Sequence, residues 1–366
     1  VLKHAGIAVL LFVMGASARA DNAVYPLDDA TDRGTIVTGP QLYAVHAKGG
    51  LIGYADAHGT IVVKPQFFSG DVFSDGIAVS YSNRDAPQAV LVDTTGKLTP
   101  LEGIEVTGWF SDGVAPARRG KRSGFIDATG KFVIQPTYAD ARVMSSGLAP
   151  VNIGGKWGYI KRSGKIAFRP TWLDAREFRD GRAAVKTKSG WGFIDTTGAV
   201  VVAAEFSRVH DFRDGLALVT RRDGTRGYID PTGAFVIAQL PGNQDPSKGS
   251  LATYHDFFEG TAFVLEDGGA YHIDKQGKPL YRARFGSVNT FSGGLAPARP
   301  PGQQTKWGYI DRTGAWVIKP AYDFAHVKVG ELILVANDDN KTNVGGALIR
   351  RGFIDIKGNV IIPLNR

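Results

Sequence analysis

The feature that most constrains this chain is a repeat. Glycine, an aromatic residue, Ile and Asp are followed by two variable residues, a second glycine and an alternating apolar stretch. The clearest copies begin at Gly124, Gly192, Gly227, Gly308 and Gly352, and weaker ones at Gly53, Val90, Gly158 and Tyr271. The second glycine is present in all nine copies, from Gly59 to Gly358. About twenty residues after each Asp position comes Phe-x-Asp-Gly-Leu-Ala, as in Phe178–Ala183 and Phe212–Ala217. Successive Asp positions are 37, 34, 34, 34, 35, 44, 37 and 44 residues apart. A period in this range is the mark of a repeat architecture, and it constrains the fold before any single motif does.

One unit can be read from its residues. Tyr309-Ile310-Asp311 alternates faces, Arg312-Thr313-Gly314 turns, and Ala315–Ile318 continues as the partner strand. Asp accepts backbone N–H groups in such a turn, and glycine supplies its left-handed residue. Leu295–Ala298 is a further strand upstream, so each unit reads as a three-stranded antiparallel meander. Pro-x-aromatic steps such as Pro136-Thr137-Tyr138 are expected to end the sheet, because proline cannot donate to the ladder. A lone meander is barely stable, so neighbouring units must cover one another's apolar faces. The expected fold is all-β: tandem three-stranded meanders, about nine of them, forming an open solenoid or a propeller-like curved array over residues 42–366. Interruptions at Leu240–Gly249 and Ala336–Leu348 favour an open or irregular array.

Composition agrees with many turns and a cysteine-free core: 47 glycines and no cysteine among 366 residues. Disulfides, thiolate metal sites and a cysteine nucleophile are thereby excluded. Residues 1–20 have a basic start at Lys3, an apolar run from Ala5 to Met14 and Ala18-Arg19-Ala20 before Asp21. That is the layout of a secretory signal peptide cleaved after Ala20. Residues 21–41 then form a lead-in, the mature chain has no transmembrane anchor, and the expected location is periplasmic or secreted. Formal charge is +8, or +6 after removal of Lys3 and Arg19. A solvated surface accounts for it, and attraction to anionic envelope polymers is the sharper reading.

Lys156-Trp157-Gly158-Tyr159-Ile160, Trp191-Gly192-Phe193-Ile194-Asp195 and Lys306-Trp307-Gly308-Tyr309-Ile310-Asp311 resemble the WG repeat of bacterial β-hairpin proteins. The resemblance covers residues 42–366. Ile52, Ser123, Arg226, Ala270 and Arg351 stand at the Trp position in five other units, and the Val90 unit lacks both Trp and Gly. The resemblance implies an exported repeat scaffold used for binding or assembly, and it carries no reaction and no catalytic residues.

The recurring Asp invites an acid–base reading, but a carboxylate repeated in eight of nine units reads as a turn residue. The histidines after residue 20 are dispersed, with no metal-ligand spacing, so no metal and no cofactor are expected. His255, Asp256 and His272 fall in one irregular unit, residues 240–272, where a hydrolase site would lie if there were one. Nucleic acid is not an expected partner, since the basic clusters are short loop charges. The leading expectation is a non-catalytic scaffold presenting an extended surface to a protein or envelope partner. The alternative is a cell-wall glycan-binding module in which Trp157, Trp191 and Trp307 are the ligand contacts; it requires exposed indoles. Packing between units, with the adjacent glycine making room for the indole, is the competing reading.

Overall fold

The computed structural model describes residues 41–365, apart from 48–49, 84–86, 239, 241–252, 267, 303–305 and 339–348. The expected signal peptide, nearly all of the lead-in and most of both insertions lie outside the described residues. Every element among the described residues is a strand, and no helix is long and apolar enough to cross a membrane.

Among the described residues the strands form nine separate antiparallel sheets. Sheets 1 to 9 occupy residues 43–67, 69–100, 105–138, 140–172, 174–206, 208–237, 253–274, 287–322 and 324–365. Sheet 4 is representative, with strands Asp140–Ala141, Leu148–Ile153, Lys156–Lys161 and Ile166–Trp172 in that spatial order. Each of the two middle strands has four of its six residues buried, whereas the long fourth strand has none.

The unit therefore has four strands in most sheets rather than the expected three. The additional strand is usually two residues long, too short to show any alternation, and it follows the previous sheet after a brief link such as Leu173. Proline does not end the sheet either. Ile166–Trp172 runs through Pro170, with Phe168 opposite Tyr159 and Trp172 opposite Trp157. Between those pairs the strand bulges, and the proline sits where no ladder bond is required.

The bulge explains the glycine that opens seven of the nine hairpins. A Cβ on Gly158 would lie 2.6 Å from the Phe168 carbonyl oxygen, and one on Gly308 2.4 Å from that of Ile318. The glycine thus makes room for the backbone of the fourth strand, not for the neighbouring indole. The hairpin turn follows the expected chemistry: Asp311 N–H donates to Ala315 O at 2.9 Å, and Gly314 takes φ 81°. The Asp311 carboxylate accepts Thr313 N–H at 2.8 Å and the Thr313 hydroxyl at 2.6 Å.

Each sheet buries one face against the next, and the hydrophobic clusters follow these joints. Phe178 and Ala175 of sheet 5 pack with Trp157 and Tyr159 of sheet 4, and Phe212 of sheet 6 with Phe193 of sheet 5. The series does not stay open. Tyr43, Val45 and Ala55 of sheet 1 share a cluster with Leu332, Leu334, Phe353 and Ile362 of sheet 9. Glu331 N–H donates to the Tyr43 hydroxyl at 2.9 Å, and the Tyr43 and Phe353 rings meet edge-on at 5.3 Å. The nine sheets form a closed, propeller-like ring. This resolves the expected alternative, because the insertions leave the regular sheet-on-sheet packing intact.

Candidate functional site

The side chains that recur in the sequence converge on the joints between sheets. At the joint between sheets 4 and 5, the Arg142 guanidinium donates to Ala175 O at 2.5 Å and approaches the Asp174 carboxylate to 2.9 Å. Arg176 repeats the arrangement one sheet later, reaching Val209 O at 3.0 Å and Asp211 at 3.3 Å. A second link runs from the third strand. The Tyr159 hydroxyl donates to Arg176 O at 2.7 Å, as Tyr228 does to His255 O at 2.6 Å and Tyr309 to His326 O at 3.0 Å. A third link uses the Phe-x-Asp-Gly turn. Asp180 adopts the left-handed conformation, φ 46°, and its carboxylate accepts Gly215 N–H of the next sheet at 2.8 Å. Asp75, Asp112 and Asp214 do the same to Gly113, Gly147 and Gly260. Asp is among the few non-glycine residues that tolerate this conformation, which is why the turn carries it.

The three tryptophans lie within this system. Trp157 and Trp191 are 7% and 8% exposed, packed into the joints, and Trp307 is half-buried. Arg142 lies 4.2 Å from the Trp157 ring centroid, Arg176 4.8 Å from Trp191 and Arg299 5.4 Å from Trp307. At Trp157 and Trp191 indole, guanidinium and the next sheet's backbone follow in sequence, a cation–π arrangement in which the guanidinium side chain stays about one-third exposed. The glycan reading needed exposed indoles, and Trp157 and Trp191 do not meet that condition: their ring faces are spent on packing.

The histidines of the irregular unit go to different places. His272 is fully buried, with Nδ1 2.6 Å from the Tyr281 hydroxyl and Nε2 3.0 Å from Asn289 O. A carbonyl can only accept, so Nε2 carries the proton and Nδ1 accepts from Tyr281. Burial pushes the pKa of His272 down to about 4. His272 thus takes the place that tyrosine holds at other joints. His255 stacks on Phe263 at 3.7 Å, and burial lowers its pKa to about 4 as well. Asp256 pairs instead with His210 Nδ1, 2.8 Å away, and with Arg213 Nε at 3.6 Å. Burial alone would raise its pKa, but the His210 bond and the neighbouring cations hold it below the usual range. His255, Asp256 and His272 are therefore each committed to a separate contact. Among the described residues no group of three His, Asp or Glu side chains is placed to hold a metal ion.

The hairpin carboxylates are equally committed. The Thr197 hydroxyl and N–H hold Asp195 below the usual carboxylate range, and Thr232 and Thr313 do so for Asp230 and Asp311. Sequence reasoning missed Arg142, Arg176 and His210. The signal for the first two is present, since Asp140-Ala141-Arg142 and Asp174-Ala175-Arg176 recur one period apart. His210 carries no such mark, because its partner Asp256 lies 46 residues away.

A family model described as WG containing repeat matches residues 52–79, 124–157, 157–190, 191–223, 273–299 and 307–340. No curated protein matches the chain. Among solved structures, the chain is similar to BamB from Moraxella catarrhalis, with 14% identity and TM-score 0.42 over 73% of this chain and 89% of that one. It is also similar to Hsv2p from Kluyveromyces lactis, with 9% identity and TM-score 0.38 over 75% and 93%. PorZ of Porphyromonas gingivalis, described as a surface component of the type-IX secretion system, aligns at 10% identity and TM-score 0.30 over 89% of this chain and 45% of that one.

Proposed function

The chain belongs to the WG-containing repeat family, and from that premise we propose that it is an exported, non-catalytic scaffold that presents the surface of its ring to a protein or envelope partner. One observation supports this reading above the rest. The recurring polar side chains are taken up in turns and joints, as Asp195, Asp214, Tyr159 and Arg142 exemplify. What varies from unit to unit is carried on the turns, and variable side chains on a fixed frame suit recognition.

The purified chain is to be passed over separated peptidoglycan, outer-membrane vesicles and soluble envelope proteins. Retention of one partner, with saturable binding in titration, is the expected result. Turnover of ester, glycoside or peptide substrates that disappears on Asp256→Ala would overturn the non-catalytic reading. Export is tested by cell fractionation with and without residues 1–20. A chain that stays cytoplasmic in both forms removes the exported part of the proposal.

A further inference from the structure

The net charge of the chain is concentrated in one arc of the ring. Residues 105–237, which form sheets 3 to 6, hold 21 Lys and Arg against 13 Asp and Glu, a net +8. The remaining residues hold 22 of each and are balanced. Within the arc the hairpin end carries both signs, with exposed Lys131, Lys161, Arg162 and Lys165 among its carboxylates, whereas the opposite turns carry cations with Asp223 as their one acid among the described residues. The acids concentrate at the end that carries the hairpin and Phe-x-Asp-Gly turns, where Asp127, Asp195 and Asp230 brace hairpins and Asp112, Asp180 and Asp214 join sheets.

The opposite end carries the turns between second and third strands. Exposed there are Arg119, Lys121 and Arg122 of sheet 3, Lys188 of sheet 5, and Arg221 and Arg222 of sheet 6. Among the described residues no ion pair joins any of these six to a carboxylate. The turns of sheets 5 and 6 adjoin, since Arg222 Nη2 donates to Ser189 O, while the Gly154-Gly155 turn of sheet 4, between them and sheet 3, carries no exposed cation. Arg119 and Arg221 lie over the Phe132 and Phe235 rings, at 4.9 and 4.3 Å, which restrains their guanidinium groups.

We infer that this basic arc is the docking surface for a linear polyanion, an inference that rests on the scaffold reading and names the chemistry of its partner. The cations are distributed along the turns of sheets 3, 5 and 6 and are not gathered about one buried point, which suits a chain of repeated anions better than a small one. No exposed aromatic side chain stands among them to stack a base, and single-stranded nucleic acid binding relies on such stacking. The recognised feature is the repeated charge itself.

The test uses the full chain and long-chain polyphosphate as the probe, with binding followed by fluorescence anisotropy across a salt series. The arc variant is Lys121→Gln, Lys188→Gln, Arg221→Gln and Arg222→Gln. Its control, Lys64→Gln, Lys278→Gln, Lys319→Gln and Lys357→Gln, removes the same charge from exposed positions elsewhere. The arc variant is expected to bind roughly a hundredfold more weakly at low salt, with the log–log salt slope reduced by about three, near 0.7 per lost contact. The control is expected to stay within about threefold of the parent. The pair Lys121→Gln with Lys188→Gln, expected to give half the change in slope, serves if the fourfold variant melts early. Equal losses in arc and control variants would reduce the effect to net charge and overturn the proposal. So would tighter binding of an oligonucleotide of matched charge, or of phosphatidylglycerol vesicles in place of the polymer. If polyphosphate fails to bind while a partner is still captured from envelope fractions, the arc proposal falls and the scaffold reading stands.

Discussion

The joint between sheets 4 and 5 and the joint between sheets 9 and 1 do the same task with different chemistry. The first is polar as well as apolar: Arg142 reaches Asp174 and Ala175 O, Ser145 Oγ donates to Phe178 O at 2.7 Å, and Tyr159 donates to Arg176 O. Its partners lie 17 to 33 residues apart along the chain. The closing joint links residues as far as 288 apart, through the Tyr43–Phe353 ring contact, a cluster of aliphatic side chains and hydrogen bonding of backbone N–H, that of Glu331 among them, to the Tyr43 hydroxyl. Sheets 4 and 5 are tethered by Leu173 alone, so ordering one brings the other within reach. Sheets 9 and 1 have no such tether and must offset a much larger loop-closure entropy. Dense apolar burial is the non-directional means of doing so.

The largest effect that separates the two joints should come from Tyr43→Ala. It removes a buried ring and the acceptor for Glu331 N–H, a loss of about 3–5 kcal/mol. The expected readout is a new, early transition in urea and a larger radius of gyration by small-angle scattering. A single transition with unchanged dimensions would show that the ring is not held shut there.

Acid should act next. Burial, followed by repulsion from Arg351 across the closing joint, lowers the pKa of His46 to about 4, and burial lowers that of His272 at an internal joint by the same amount. Both folded values lie below the unfolded value near 6.5, so the unfolded chain takes up protons first. Stability is complete above about pH 6.5 and is lost as the pH falls towards 4, by about 2 kcal/mol per group at pH 5. Urea titrations of His46→Gln and His272→Gln should each flatten this acid limb. If only His272→Gln does so, the closing joint is not acid-sensitive.

Tyr159→Phe leaves the Arg176 carbonyl without its donor and should cost about 1–2 kcal/mol, with no change in ring dimensions. A change in dimensions would show that internal and closing joints are coupled. The smallest effect expected is that of Asp214→Ala, which strips one turn-to-turn bond to Gly260 for about 1 kcal/mol. Amide exchange at Gly260 should rise in that variant while the closing joint stays protected.

Much of the fold was legible because the repeat repeats its local physics. The hairpin Asp, the left-handed glycine and the Phe-x-Asp-Gly turn each follow from contacts within a few residues, and Asp311, Gly314 and Asp180 hold the conformations their types favour. The candidate site was less legible. Trp157 and His272 looked like chemistry because their types can do chemistry, and nothing in neighbouring residues reveals that one lies under Arg142 and the other fills a joint. The two-residue first strand escaped for a related reason, since Asp140–Ala141 has a partner but no pattern.

The sequence by itself determined the all-β class, the number of units, the hairpin register and the absence of thiol chemistry. These depend on short-range sterics and on the count of a recurring motif. Tertiary structure alone decided that the ring closes, that Trp157 and Trp191 pack into the joints and that the Arg222 turn of sheet 6 lies beside the Ser189 turn of sheet 5. Each of these depends on residues tens to hundreds of positions apart being brought together by sheet-on-sheet burial, an interaction proportional to area and blind to sequence order.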